Sequence, residues 1–108
     1  MTVSKLCVLL NAKALSLPEG EREIDGVYIG DLLSWVMGRA KSDNVWITIM
    51  SNLNVVAVAS LSDVACVVMA EGVEPESDII ENAKNKGVNI ISAPMSAYEI
   101  AALLSREL

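Results

Sequence analysis

The chain contains no histidine among its 108 residues. That absence removes the commonest general base, and with it the Ser–His and Cys–His pairs of nucleophilic catalysis. It also removes the most frequent transition-metal ligand, and two isolated cysteines, Cys7 and Cys66, cannot build a structural zinc site. No metal is expected. Each cysteine sits inside an apolar segment, which predicts free thiols in a reducing compartment and not a disulfide. Phosphate-wrapping motifs are missing too. There is neither a P-loop nor a G-x-G-x-x-G, and Gly26, Gly30 and Gly38 are wrongly spaced to form one.

Basic clusters are equally scarce. The eight Lys and Arg residues are dispersed and the net charge is −6, so nothing resembles the basic stripe that neutralises nucleic-acid phosphates. No apolar run approaches the ~20 residues needed to cross a bilayer. The longest, Val64 to Ala70, is strand-sized. At the start of the chain one Lys precedes the short apolar run Leu6–Leu10, with no cleavage pattern after it. Neither nucleic acid nor membrane is an expected partner, and the expected location is the cytoplasm.

What is present is apolar side chain in excess. Hydrophobic residues make up 53% of the chain, above the roughly 45–50% usual for soluble domains. Such a surplus belongs in a dense core or a subunit contact. The length suits one core, and no linker, repeat or low-complexity stretch divides residues 1–108, which read as a single domain.

A strand–helix rhythm runs through the second half. Val45–Met50 is rich in β-branched and aromatic residues and reads as a strand, with a helix over Asn52–Leu61. Ala65–Ala70 is a continuous apolar run, as in a strand buried on both faces. Glu74–Lys86 reads as a helix with Pro75 in its first turn, acids early, lysines late and Gly87 beyond its end. Val88–Ser92 is a short strand. Ser96 and Glu99 then form a capping box that opens a last helix. Three such units imply an α/β domain with a mostly parallel sheet and helices packed on its faces.

The first half is less regular. Val3, Leu6, Cys7 and Leu10 fall at helical spacing and predict a short helix over Val3–Leu10, with a strand over Cys7–Leu10 the alternative. Lys13–Leu17 reads as a strand, Pro18–Arg22 as a charged turn, Ile24–Ile29 as extended, and Leu32–Ala40 as a helix.

Ligands in open parallel sheets bind outside the carboxyl ends of the strands. Those ends carry Gly30 and Asp31, then Thr48, Ser51, Asn52 and Asn54, then Glu71 and Gly72, then Ser92 and Ser96. This polar rim, backed by helix starts, is the candidate site for a small metabolite or nucleotide. Asp31, Asn52 and Ser96 are equally good helix caps, which need no ligand. Ser51 occupies a strand-to-helix turn but lacks the flanking glycines of a nucleophile elbow, and no residue is assigned a catalytic role.

The helix after Val45–Met50 is apolar nearly all round, so it must be buried on more than one side. A symmetry mate would supply the second side, with Val55, Val58 and Ala59 in the contact. Trp35 joins them, because Leu32, Leu33, Val36 and Met37 serve the core face of its own helix. The expected assembly is a homodimer.

The stretch GVYIGDLLSWVMGRAKSDNVWITIMSNLNVVAVASLSDVACVVMAEGVEP, with the later NIISAPMSAYEIAALL, resembles a DRTGG domain over about Val3 to Leu104. The best-matched parts are Gly30-Asp31-Leu32, Ala70-Glu71-Gly72 and Ser96-Ala97-Tyr98-Glu99. DRTGG domains occur in larger regulatory proteins, among them CBS-domain pyrophosphatases and phosphate acetyltransferases, and are similar to the N-terminal domain of HPr kinase/phosphorylase. The turn that names the family would fall near Thr48–Asn54, where this chain has TIMSNLN, so a ligand role tied to that motif does not carry over. The resemblance implies a compact α/β fold, frequent dimerisation and a regulatory or ligand-sensing role; with no histidine in the chain, neither catalysis nor a cofactor is expected. Stand-alone members resemble accessory proteins found beside redox enzymes such as iron hydrogenases, so a structural subunit that docks another protein is the alternative.

Overall fold

In the computed structural model, which describes residues 1–108, five helices flank one five-stranded sheet. The elements are α1 (Val3–Leu9), β1 (Lys13–Ser16), β2 (Val27–Ile29), α2 (Leu33–Arg39), β3 (Val45–Thr48), α3 (Asn54–Ser62), β4 (Cys66–Met69), α4 (Ser77–Asn85), β5 (Ile90–Ser92) and α5 (Ala97–Ser105). The sheet order is β1-β5-β4-β3-β2. Strands β2 to β5 are parallel, and β1 pairs antiparallel with β5, Lys13 facing Ser92. The α/β class and mostly parallel sheet therefore hold, and the opening segment is helix and not strand.

Every residue of β3 and β4 is buried, as expected of strands covered on both faces. Their side chains alternate between two cores. Val45, Ile47, Cys66 and Val68 meet Val3, Leu6, Ile100 and Leu104 beneath α1 and α5. Trp46, Val67 and Met69 meet Val36, Val55, Val56, Val58 and Ala83 beneath α2, α3 and α4. No helix is long and apolar enough to cross a membrane.

Pro75 does not begin α4. It precedes the N-cap Glu76 and is buried outside the helix. The charged turn Pro18–Arg22 has a larger task than turning. It belongs to a segment that runs along the amino ends of the strands, from the β1 edge to the β2 edge. Asn89 Oδ1 accepts from the Glu19 N–H at 2.9 Å, and its Nδ2 donates to the Glu19 and Ala65 carbonyls. Arg22 then grips Asp63 ahead of β4 and Asp43 ahead of β3. Asn44 Nδ2 donates to the Asp25 carbonyl at 2.7 Å and secures the entry to β2. A buried amide with both ends paired is stabilising where an unpaired one would cost about 1–3 kcal/mol.

Candidate functional site

Four parallel strands in the order β5-β4-β3-β2 follow the chain in one direction without reversal. The crevice of an open α/β sheet forms where that direction reverses. With no switch point, the strand-end rim lacks the physical cause of a deep cleft, and the polar side chains there turn to one another.

Asp31 is the clearest case. Its Oδ1 accepts from the Thr48 hydroxyl at 2.7 Å and from the Ile49 N–H at 2.9 Å. Thr48 Oγ1 in turn accepts from the Met50 N–H. The carboxylate thus clamps the end of β3 to the start of α2, and it does not cap α2, whose N-cap is Leu32 without a side-chain bond. Asn52 Oδ1 accepts from the Asn54 N–H at 3.0 Å, a local turn ahead of α3, whose N-cap is Leu53 without a side-chain bond, so Asn52 does not cap the helix either. Ser51 is part-buried beside it and Asn54 is exposed as the first residue of α3. Ser96 completes the capping box with Glu99 that its spacing predicts.

On the other half of the rim, Glu71 and Gly72 both take left-handed backbone, and their N–H groups donate to the Met95 and Ala93 carbonyls. The Ser92 hydroxyl donates to the Val73 carbonyl at 2.7 Å. Gly72 and Ser92 share a concavity of about 220 Å³ with Asn11, Lys13, Glu74 and Pro94. None of Gly30, Asp31, Thr48, Ser51, Asn52, Asn54, Glu71 or Ser96 lines any of the three concavities of the molecule. Two groups of rim residues exist, one at β2–β3 and one at β4–β5, and no single cavity unites them.

Gly30 has a role that spacing alone does not reveal. A Cβ there would lie 3.0 Å from Tyr28 Cε2, so the missing side chain makes room for the Tyr28 ring. Its carbonyl also accepts from Trp46 Nε1 at 2.9 Å.

The interface residues divide. Val55, Val58 and Ala59 are buried within the single chain, at 0%, 6% and 2% exposure. The second side of α3 is covered by its neighbours α2 and α4, so a symmetry mate is not needed to bury it and those three side chains are not on offer to one. Trp35, by contrast, is 52% exposed. Its helix also departs from expectation: only Val36 is buried and Leu33 partly so, while Leu32 and Met37 stand in solvent. Helix α2 follows the edge strand β2, only three residues long, and packs chiefly against α3, which leaves most of its surface uncovered. Ile49 and Leu53, at the β3–α3 junction, are half-exposed as well.

The largest concavity, about 540 Å³, opens at the amino ends of β2 and β3 instead. It is lined by Asp25, Gly26, Val27, Tyr28, Arg39, Lys41, Ser42 and Asn44. Sequence reasoning misses it because its residues come from a strand edge, a helix end and a turn, with no motif in common. Of the two thiols, Cys66 is buried and Cys7 half-buried; both are free, and burial pushes both thiols up from their ordinary value.

A search of solved structures finds similarity to the CBS and DRTGG domains of the regulatory region of Clostridium perfringens pyrophosphatase, complexed with the activator diadenosine tetraphosphate. Sequence identity is 18% and the TM-score 0.78, over 99% of this chain and 47% of that one. The chain spans about half the length of that structure, and the likeness is one of fold. No curated protein matches at a significant level. The family model of the DRTGG domain matches residues 5–106. With nearly the whole chain inside that match and the fold in agreement, the chain belongs to the DRTGG domain family.

Proposed function

We propose that the chain is a non-catalytic regulatory module that senses a small metabolite or nucleotide and acts as a homodimer in the cytoplasm. The observation that carries this reading is its shared fold with a regulatory region that was solved with a nucleotide activator. Its own chemistry agrees. The rim hydroxyls and the Asp31 carboxylate are engaged in holding strand ends and helix starts, and no imidazole is present to activate a nucleophile. At the carboxyl ends of the strands, the open ground for a ligand is the small concavity at Gly72 and Ser92. Pairing is assigned to the surface around Trp35, with Leu32, Ile49 and Leu53, since large apolar side chains exposed together favour association.

The same surface supports a second reading, in which the chain is an accessory subunit and Trp35 docks a different protein. Light scattering on the purified chain separates the two: a dimer supports self-pairing, and a monomer supports the accessory role. A thermal-shift screen with nucleotides and acidic metabolites tests sensing. A ligand at about 100 times its dissociation constant adds about 2.7 kcal/mol. A screen in which no compound raises the melting temperature sinks the ligand-sensing half.

A further inference from the structure

The cavity at the amino ends of β2 and β3 has the size of a small-molecule site, about 540 Å³ against the ~300–1,000 Å³ typical of such pockets. Two cations line it, Arg39 from the end of α2 and Lys41 from the turn that follows. Neither is among the residues that form ion pairs in this structure. The chain carries 14 carboxylates to eight cations, so a pair of cations left without acidic partners in one cavity runs against its composition. The Arg39 guanidinium is nonetheless held in place, stacked 3.7 Å from the centre of the Trp35 ring. Stacking orients the group and leaves its in-plane N–H donors unspent.

The polar side chains of the remaining wall are mostly committed to bonds within the chain. Asn44 donates to the Asp25 carbonyl and accepts from the Lys41 N–H, and Ser42 donates to Asp63. A Cβ on Gly26 would fall 2.8 Å from Asn44 Nδ2, so a glycine is needed for this corner to close. Tyr28 also lines the cavity, on the same face as α2, with the far end of its ring lying towards Gly30. One lining carboxylate, Asp25, opposes an anion, and the carbonyl end of α2 uses part of the cationic charge. Two cations against one carboxylate still leave the lining positive.

We propose that this cavity binds a phosphorylated small molecule. Arg39 meets two phosphoryl oxygens through its fork and Lys41 meets the anion as a point charge, while the Tyr28 ring flanks an attached planar group. The proposal rests on the ligand-sensing reading above but puts the ligand at the opposite end of the sheet from the rim.

The test is a titration of the full chain with inorganic phosphate and with ATP, followed through backbone amide NMR shifts. ATP is expected to move the amides of Val27, Tyr28 and Lys41, and phosphate to move the same set at higher concentration. Arg39→Gln with Lys41→Gln should weaken both probes at least tenfold. Lys41→Gln alone, which leaves the Trp35 stack intact, should weaken both in part, so that the result does not depend on pairing through Trp35. Tyr28→Leu should weaken ATP and spare phosphate. If ATP binds but moves amides near Gly72 and Ser92, with the double variant binding as well as the parent, the cavity assignment falls and ligand sensing stands. If neither probe moves any amide, the cavity assignment falls too, and ligand sensing is then decided by the wider thermal screen.

Discussion

Arg22 Nη2 donates both to the Asp63 carboxylate, at 2.9 Å, and to the Asp63 carbonyl, at 2.6 Å. Asp63 ends α3 in left-handed backbone and Arg22 belongs to the segment that crosses the amino ends of the strands. One guanidinium therefore fixes a helix end, and through its Nε bond to Asp43 it fixes the approach to β3 as well. Arg22→Ala is expected to lower stability by about 1–2 kcal/mol, since hydrogen bonds to charged groups are worth more than neutral ones but exposure of the carboxylates screens them. Urea unfolding checks it: the midpoint should fall with the slope unchanged. An unchanged midpoint would show that the segment is held by Asn89 and Asn44 alone.

Acid should loosen the same contact. The Ser42 hydroxyl first, and the Arg22 guanidinium with it, hold the Asp63 carboxyl below its ordinary value of 3.8. A carboxyl depressed in the folded state contributes stability above its unfolded-state value and loses it as pH falls through the folded one. The loss belongs below about pH 4, and it is small because Asp63 is largely exposed. In Ser42→Ala the depression is reduced, so its stability should vary less with pH between 5 and 2.5 than the parent's. Equal slopes in the two proteins would remove Asp63 from the acid response.

Core and surface separate cleanly at two residues. Val58 is buried between α3 and the sheet, and Val58→Asp would leave an unpaired charge in that core, enough to unfold a marginally stable domain. That variant therefore reports on folding and not on pairing. Trp35→Ala removes an exposed ring and should leave the melting temperature within a few degrees of the parent. In light scattering it should shift the protein toward monomer. A Trp35→Ala protein that stays fully dimeric would move the pairing surface elsewhere.

The thiols give a fourth test. Burial raises both above their ordinary value of 9.0, Cys66 far more than Cys7, and the thiolate is the reactive form. A native sample treated with a thiol reagent near neutral pH should show Cys7 reacting slowly and Cys66 protected, with both released in denaturant. Rapid reaction of Cys66 would mean that the core under α5 opens readily.

Much of this architecture is legible in the amino-acid sequence. The run Ala65–Ala70 announces a strand covered on both faces, and Ser96 with Glu99 marks the start of α5, because each signal is local and strong. Other features depend on partners far along the chain. The antiparallel place of β1 is decided by Ser92 and its neighbours, and the charged segment Pro18–Arg22 acquires its meaning from Asn89, Asp63 and Asp43. Apolar periodicity also cannot say what covers a helix. It demands a second cover for α3, and α2 and α4 within the same chain provide it. The rule that places ligands at strand ends assumes a reversal in strand order, and this sheet has none.

The pairing of β1 with β5 has a consequence for synthesis. A ribosome makes α1 and β1 before any of the elements that seat them: β3, β4, β5 and α5 for α1, and β5 for β1. Until α5 has followed β5 out, Val3, Leu6 and Leu10 have no finished surface to settle on, so α1 stays sticky while the rest of the domain is being made.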